Sequence, residues 1–167
     1  LGESTPRRLS DSDPLPTLQP IEPSDPKMQG AKELLFETLT PLRIHRKGQL
    51  VPRPEFTDLV VAAFRRAQVL SRFHGQPSAD HAIREAGLPC EALELARQVK
   101  TFVVQEELVR VRRKSSRSGA QTFHGFHGQL RFQGPFAPFV RLLSFGSLFG
   151  LGKGTGFGFG QFRLTAS

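Results

Sequence analysis

The most regular apolar pattern of the chain lies between residues 56 and 73. Apolar side chains recur there at spacings of three and four, as on one face of an α-helix: Phe56, Leu59, Val60, Ala63, Phe64, Ala67, Leu70 and Phe73. Three arginines fall largely outside this face, namely Arg65, Arg66 and Arg72. Pro54 stands where a helix start needs no backbone N–H, and Gly75-Gln76-Pro77 is a stop signal. The pattern therefore predicts one long helix.

Strand-like patterns lie on both sides of this helix. Residues 32–46 alternate in the strand period, and Pro41 within them predicts an edge strand or a bulge. Residues 101–113 and 126–132 predict two further strands, separated by a polar loop at 115–122. The segment Phe157–Leu164 predicts a last strand.

Two more helices complete the pattern. A short one is expected after Pro89, in CEALELARQVK. Another is expected to open at Pro138, with four apolar residues on one side: Phe139, Leu142, Leu143 and Leu148. The resulting order, without the short helix, is βαββαβ. It predicts an α+β, ferredoxin-like (RRM-like) fold, in which one antiparallel sheet carries its helices on one face.

The chain divides into two parts by composition. Residues 1–30 are rich in proline, serine and aspartate and predict a linker or arm, of the kind that tethers a domain to a preceding one. Residues 31–167 predict the folded domain. The chain begins with Leu1 rather than methionine, so we expect a fragment or a processed product.

Charge points to the class of partner. The formal net charge is +8, and no acidic residue follows Glu107. Such a one-sign field predicts a polyanionic partner, either nucleic acid or an anionic membrane, with a merely solubilising surface as the alternative. The single Cys90 excludes a disulfide framework and indicates a reducing compartment. No secretory signal is visible, and no apolar run reaches the roughly 18 residues of a membrane span, which predicts a cytoplasmic protein without a membrane partner.

The segment 150–160, called the glycine-rich loop from here on, is the clearest candidate for phosphate contact. Glycine lets the backbone approach a ligand closely, and successive amides can form a concave anion site. The candidate RNA-backbone contacts in it are Gly150, Gly152, Lys153, Gly154 and Thr155. Its spacing does not fit a P-loop, and its order, after a helix and before a strand, excludes a dinucleotide fingerprint. A tight structural turn and low-complexity disorder remain alternatives.

A second candidate surface is the basic segment that begins at Arg110. Its expected RNA contacts are Arg110, Arg112, Arg113, Lys114 and Arg117. The Phe-rich strands do not fit an RNP1 motif, so we expect RNA to be held by loops and cations rather than by stacking on the sheet.

Histidines supply the only candidate acid–base chemistry. Cleavage of RNA without a metal needs a base, an acid and a cation at the phosphorane, and histidine suits the first two roles. The weak catalytic candidates are His45, His124 and His127. His124-x-x-His127 lacks the further ligands of a zinc site, so no metal and no cofactor is expected.

Two longer stretches carry a resemblance. HGFHGQLRFQGPFAPFVRLLSFGSLFGLGKGTGFGFGQFRL and LTPLRIHRKGQLVPRPEFTDLVVAAFRRAQVLSRFHG together cover about residues 36–75 and 102–165. They resemble the C-terminal domain of the CRISPR repeat-processing endoribonucleases of the RAMP superfamily. That family characteristically has a Gly-containing strand, a short helix, a glycine- and lysine-containing loop and a terminal strand.

The resemblance implies tandem ferredoxin-like domains, binding of CRISPR repeat RNA and metal-independent cleavage of precursor CRISPR RNA. It also implies that the catalytic histidine of many members lies in a first domain. We expect this chain to hold the second domain only, so no catalytic residue is carried over. Expected partners are repeat RNA and either a preceding ferredoxin-like domain or a CRISPR effector complex. Two alternatives remain: a non-catalytic RNA-binding subunit of such a complex, and a basic structural protein.

Overall fold

The structure is a computed structural model that describes residues 30–74, 88–115 and 119–166. The predicted arm at 1–30 and the predicted RNA contact Arg117 therefore lie outside the described residues, apart from Gly30.

Six strands and three helices are described. The strands are β1 (Glu33–Thr38), β2 (His45–Arg46), β3 (Gln49–Leu50), β4 (Lys100–Ser115), β5 (Gly119–Gln133) and β6 (Phe162–Ala166). The helices are α1 (Phe56–His74), α2 (Cys90–Arg97) and α3 (Val140–Phe149), with 3₁₀ turns at Ala137–Phe139 and Thr155–Phe157. The three predicted helices are thus confirmed.

The main sheet has the strand order β4-β5-β1-β6, and all of its pairings are antiparallel. The small β2–β3 ribbon forms a separate sheet. With the two short strands and the short helix α2 set aside, the chain runs strand, helix, strand, strand, helix, strand, and the first strand lies inside the sheet. This arrangement is the predicted ferredoxin-like fold, which is confirmed.

The core lies between the sheet and its helices. Along β1, Leu34, Phe36 and Thr38 are buried, while the alternate residues are half-buried on the other face. Phe36 stacks on the Phe162 ring of β6, with 4.6 Å between ring centroids. From α1, Phe56 packs edge-on against the Phe132 ring of β5 at 4.9 Å. One layer of aromatic rings therefore joins three strands and a helix.

The prediction that Pro41 marks an edge strand is wrong. β1 ends at Thr38, and β5 and β6 pair with its two sides. Pro41 lies beyond the strand, where no ladder hydrogen bond is required of it, and its carbonyl accepts a bond from the Gly160 amide at 3.0 Å. The proline ends the strand without displacing it from the middle of the sheet.

The predicted loop at 115–122 is wrong for Ser115 and residues 119–122, while residues 116–118 lie outside the described residues. β4 continues to Ser115 and β5 begins at Gly119, and the two strands pair from Lys100 opposite Gln133 to Ser115 opposite Gly119, with one register shift between Val103 and Gln105. The side chains there are polar because both faces of this ribbon are exposed, and backbone pairing does not depend on side-chain polarity.

Two details near the end of the chain differ from the prediction. The last strand begins at Phe162 rather than at Phe157, because Gly158 and Gly160 have φ values of 84° and 76°, which a strand cannot accommodate. Phe139 of the preceding 3₁₀ turn and Leu143 of α3 are buried as expected, but Leu148 of α3 is 58% exposed.

Candidate nucleic-acid interface

The β4–β5 hairpin extends past the rest of the sheet. β1 pairs with β5 only over residues 129–133, so the part of β5 before them pairs with β4, apart from one bridge between Phe126 and Leu42. Strand alternation places Arg110, Arg112 and Lys114 on one face, at intervals of about 6.8 Å. All three are exposed, and within the described residues none forms an ion pair. The hairpin therefore presents a row of cations.

Arg113 lies on the opposite face of the hairpin and contacts the glycine-rich loop. Its guanidinium lies 4.0 Å from the centroid of the Phe157 ring, which belongs to that loop. The Phe123 ring of β5 lies 5.7 Å from Phe159 and 6.3 Å from Phe157. The two separately predicted RNA-contact segments are therefore in contact with each other.

Arg43, on the segment after β1, also contacts the hairpin and the glycine-rich loop. Its guanidinium lies 4.6 Å from the centroid of the Phe123 ring and 5.8 Å from that of Phe159. Its Nε donates to the carbonyl of His124 at 3.1 Å. Burial lowers the pKa of Arg43, although a guanidinium stays charged near neutral pH. Arg43 thus fixes the loop to the base of the hairpin with a cation between two aromatic rings.

The glycine-rich loop is held mainly by its own backbone. Six of its amides donate to carbonyls of the chain: Leu151, Lys153, Phe157, Gly158, Phe159 and Gly160. The Lys153 amide, for example, donates to the Arg43 carbonyl at 2.8 Å. Of the predicted phosphate contacts, Lys153 thus has its amide bonded within the chain, while contacts through Gly150, Gly152, Gly154 and Thr155 stay predictions. The exposed Lys153 ammonium and the half-buried Thr155 hydroxyl offer side-chain contacts to a phosphate.

Close packing explains the glycines better than ligand approach does. Gly150, Gly152 and Gly154 all have positive φ. A Cβ added to Gly152 would lie 2.5 Å from the Arg43 carbonyl oxygen, closer than a real Cβ can come. The alternative that the glycines form a tight structural turn therefore holds for Gly152, whatever the loop binds.

The structure separates the histidines of β5. Along a strand, His124 and His127 point to opposite faces, so they do not form a pair. His124 is exposed and lies opposite Arg110. His127 is half-buried, and its Nδ1 lies 3.1 Å from the Thr38 hydroxyl oxygen. Glu107 of β4 lies directly opposite His127 in the strand register, and the catalytic roles of both histidines stay predictions.

His45 lies instead beside the glycine-rich loop. It is half-buried at the start of β2, and burial together with the charges of Lys153 and Arg43 lowers the pKa of its imidazole. Its Nδ1 is buried, and no hydrogen-bond partner for it is found in the part of the chain that the structure describes. The lowered pKa favours the neutral imidazole, which can act as a proton acceptor.

The sequence profile of one protein family, "CRISPR-associated endoribonuclease Cas6", matches residues 36–162. The chain belongs to the Cas6 family. The resemblance seen in the two glycine- and histidine-containing stretches is thereby confirmed. No curated protein sequence matches the chain.

Solved Cas6 structures share the fold. A Thermus thermophilus Cas6 is 19% identical at a TM-score of 0.50, and the match covers 83% of this chain and 57% of that one. A Cas6 product complex is 16% identical at a TM-score of 0.54, with coverages of 83% and 54%. A further Cas6 product complex is 24% identical at a TM-score of 0.49, with coverages of 84% and 56%. The chain spans slightly more than half the length of these Cas6 proteins.

Two further observations concern metals and membranes. Among residues 30–74, 88–115 and 119–166, no three histidine, cysteine or acidic side chains come together as a metal site would need. Across the same ranges, no helix combines the length and apolarity of a membrane span.

Sequence reasoning missed the residues that join the two surfaces. Arg43 contacts the Phe123 ring and bonds to the carbonyl of His124, and this bond joins residues 81 positions apart in the sequence. A single sequence contains no signal for such a pairing. The Gly-Phe alternation could have indicated exposed aromatic residues at the loop, since Phe157 is 55% exposed.

Proposed function

We propose that this Cas6 chain binds CRISPR repeat RNA and takes part in metal-independent endonucleolytic processing of precursor CRISPR RNA. The observation that carries the proposal is the contact between the glycine-rich loop and the hairpin, through Arg113 and Phe157. Membership of the Cas6 family supplies the class of substrate.

The role of each surface follows from its charges. Arg110, Arg112 and Lys114 form a row without ionic partners in the described residues, and a row of cations attracts a phosphate backbone. Lys153 is exposed on the loop that packs against this hairpin, so its ammonium can contact a phosphate of the same RNA. Backbone contacts of this kind position an RNA and carry little sequence information.

Filter binding with repeat RNA over a series of salt concentrations tests the binding role. Lys153→Ala should weaken binding and lower the salt slope by about 0.7 to 0.9 per lost phosphate contact. Arg72→Ala removes an equal charge from an exposed position on α1 and serves as the matched control, with no expected effect. An unchanged slope for Lys153→Ala, or an equal loss in both variants, would contradict the proposal.

A cleavage assay in EDTA tests the enzymatic role. We expect the full chain to form a 2′,3′-cyclic phosphate product in EDTA. Loss of this product in one of the variants His45→Ala, His124→Ala and His127→Ala would support an endoribonuclease. Retained folding of that variant, checked by circular dichroism, separates lost chemistry from lost structure.

A non-catalytic RNA-binding subunit of a CRISPR effector complex is the second candidate. The placement of His124 and His127 on opposite faces favours it, because the described residues then lack an assembled acid–base pair on β5. RNA binding without cleavage by this chain would support this candidate, or a chain that needs a preceding ferredoxin-like domain. We place the protein in the cytoplasm, where repeat RNA is processed.

A further inference from the structure

A groove of about 610 Å³ opens between α1, the β2–β3 ribbon and the glycine-rich loop. Its volume is within the range of about 300–1,000 Å³ that is usual for ligand sites. The hairpin cations Arg110, Arg112 and Lys114 do not line it, so it is distinct from the row of charges described above. Cationic side chains dominate its lining, among them Arg43, Lys47, Arg65, Arg66 and Lys153.

The lining of the groove carries more positive than negative charge. Among the described residues, its acidic lining consists of Glu55 and Asp58. One arginine serves both: Arg46 Nη2 lies 2.7 Å from Asp58 Oδ1 and 3.9 Å from Glu55 Oε2. By contrast, no ion pair to Arg65 or Lys153 is found within the described residues. A positive surplus therefore faces the groove.

Two buried polar atoms of the lining residues also have no hydrogen-bond partner in the described part of the chain. They are His45 Nδ1 and Arg66 Nε. Buried polar atoms in proteins are nearly always satisfied, so two exceptions in the lining of one groove point to a bound group. Arg66 Nε can only donate, whereas His45 Nδ1 donates or accepts according to its tautomer. The group that satisfies Arg66 Nε is an oxygen acceptor, and the surplus charge makes it an anion.

The shape of the lining indicates which part of a nucleic acid fits. No phenylalanine, tyrosine or tryptophan lines the groove among the described residues, and its apolar portion includes Ile44, Val61 and Ala62. Bases of single strands are held mainly by stacking on aromatic rings, for which the described lining offers the His45 imidazole and no larger ring. Phosphates need only cations and donors. The groove also adjoins the RNA surface proposed above, because Arg43 lines it and packs on the Phe123 ring at 4.6 Å.

We propose that this groove binds the phosphodiester backbone of a single-stranded stretch of RNA, independently of base sequence. The inference rests on the proposed function for its ligand class and adds a second contact surface on α1. RNA held at the hairpin would continue past Arg43 and Lys153 into the groove.

The test uses a short oligouridylate, which contains no repeat sequence, with the full chain. Arg65→Ala should weaken its binding about threefold to tenfold and lower the salt slope by about 0.7. Arg65 is exposed on α1, and alanine is a good helix former, so the variant should fold. Arg72→Ala removes the same charge from the same helix outside the groove, and it should bind like the wild type. Imidazole nitrogen signals should show the His45 Nδ1 resonance shifting when oligouridylate is added.

Each result distinguishes the inference from the proposed function. Equal binding by Arg65→Ala and Arg72→Ala, in chains that melt at the wild-type temperature, overturns the groove assignment. Saturation of the His45 shift by uridine monophosphate, with no further response to oligouridylate, assigns the groove to a small phosphate ligand and also overturns it. Oligouridylate binding that depends on Arg65, in a chain with no preference for repeat RNA, supports the groove and contradicts repeat recognition.

Discussion

Three glycines of the glycine-rich loop form a graded series for substitution by alanine. Gly156 lies outside the left-handed region, and an added Cβ has nothing within 4 Å. Gly158 has a φ of 84° but equally open space. Gly160 combines a φ of 76° with a Cβ position 1.9 Å from the Leu151 carbonyl oxygen. The series therefore separates backbone strain from steric contact within one loop.

The structure gives an expected magnitude for each step. Gly156→Ala should be neutral or stabilising by up to about 1 kcal/mol, since alanine restricts the unfolded chain. Gly158→Ala should cost about 1 kcal/mol, the strain of a left-handed alanine. Gly160→Ala adds the displacement of two hydrogen bonds, Leu151 N–H to Gly160 O at 2.9 Å and Gly160 N–H to Pro41 O at 3.0 Å. At about 1 kcal/mol for each bond, the total is about 3 kcal/mol.

Urea unfolding of the full chain measures these differences as shifts of the midpoint at constant m-value. The corresponding loss in melting temperature for Gly160→Ala is about 6–12 °C for a chain of this size. Equal destabilisation by Gly158→Ala and Gly160→Ala would refute the steric argument. A variant Gly156→Ala that keeps its stability but loses RNA binding would show that ligand approach, rather than packing, requires a glycine there.

Two further predictions concern the contacts around this loop. In a double-mutant cycle with Arg113→Ala and Phe157→Ala, we expect a coupling of about 0.5–1 kcal/mol in urea unfolding, as for an exposed cation–π pair, and additive losses would contradict the contact at 4.0 Å. The pKa of His45 is lowered by burial and by the charges of Lys153 and Arg43. The unfolded chain therefore binds this proton more readily, and the stability contributed by the neutral imidazole is full above about pH 6.5 and falls as the pH drops below it. His45→Gln should flatten that part of a melting-temperature profile against pH, and an unchanged profile would show that His45 is not its cause.

The fold was predictable because the spacing of apolar residues changes clearly between the helix period and the strand period along the chain. The apolar spacing from Phe56 onward and the β-branched residues of β4 suffice for the element order, and the order suffices for the ferredoxin-like class. Positions were harder to predict. The alternation of glycine and phenylalanine at 156–160 imitates a strand, while the positive φ at Gly158 and Gly160 turns the chain instead.

The candidate site was predictable in composition rather than in geometry. The cations of the hairpin and Lys153 stand out in the sequence because no acidic residue follows Glu107. The groove is less visible, since it combines residues of three elements, and the cations that α1 contributes lie beside the apolar face that marked the helix. The apolar periodicity identifies the buried face of α1, but it does not show which residues lie near the other faces of the helix.

The position of β1 in the sheet has a consequence for how the domain folds. β1 pairs with β6, so that Glu37 meets Arg163, which lies 126 residues later. The Lys153 amide likewise bonds to Arg43 across most of the domain. Contacts of such sequence separation are slow to form, because loop closure must precede them. During synthesis, one side of β1 therefore stays unpaired until residues 162–166 have left the ribosome.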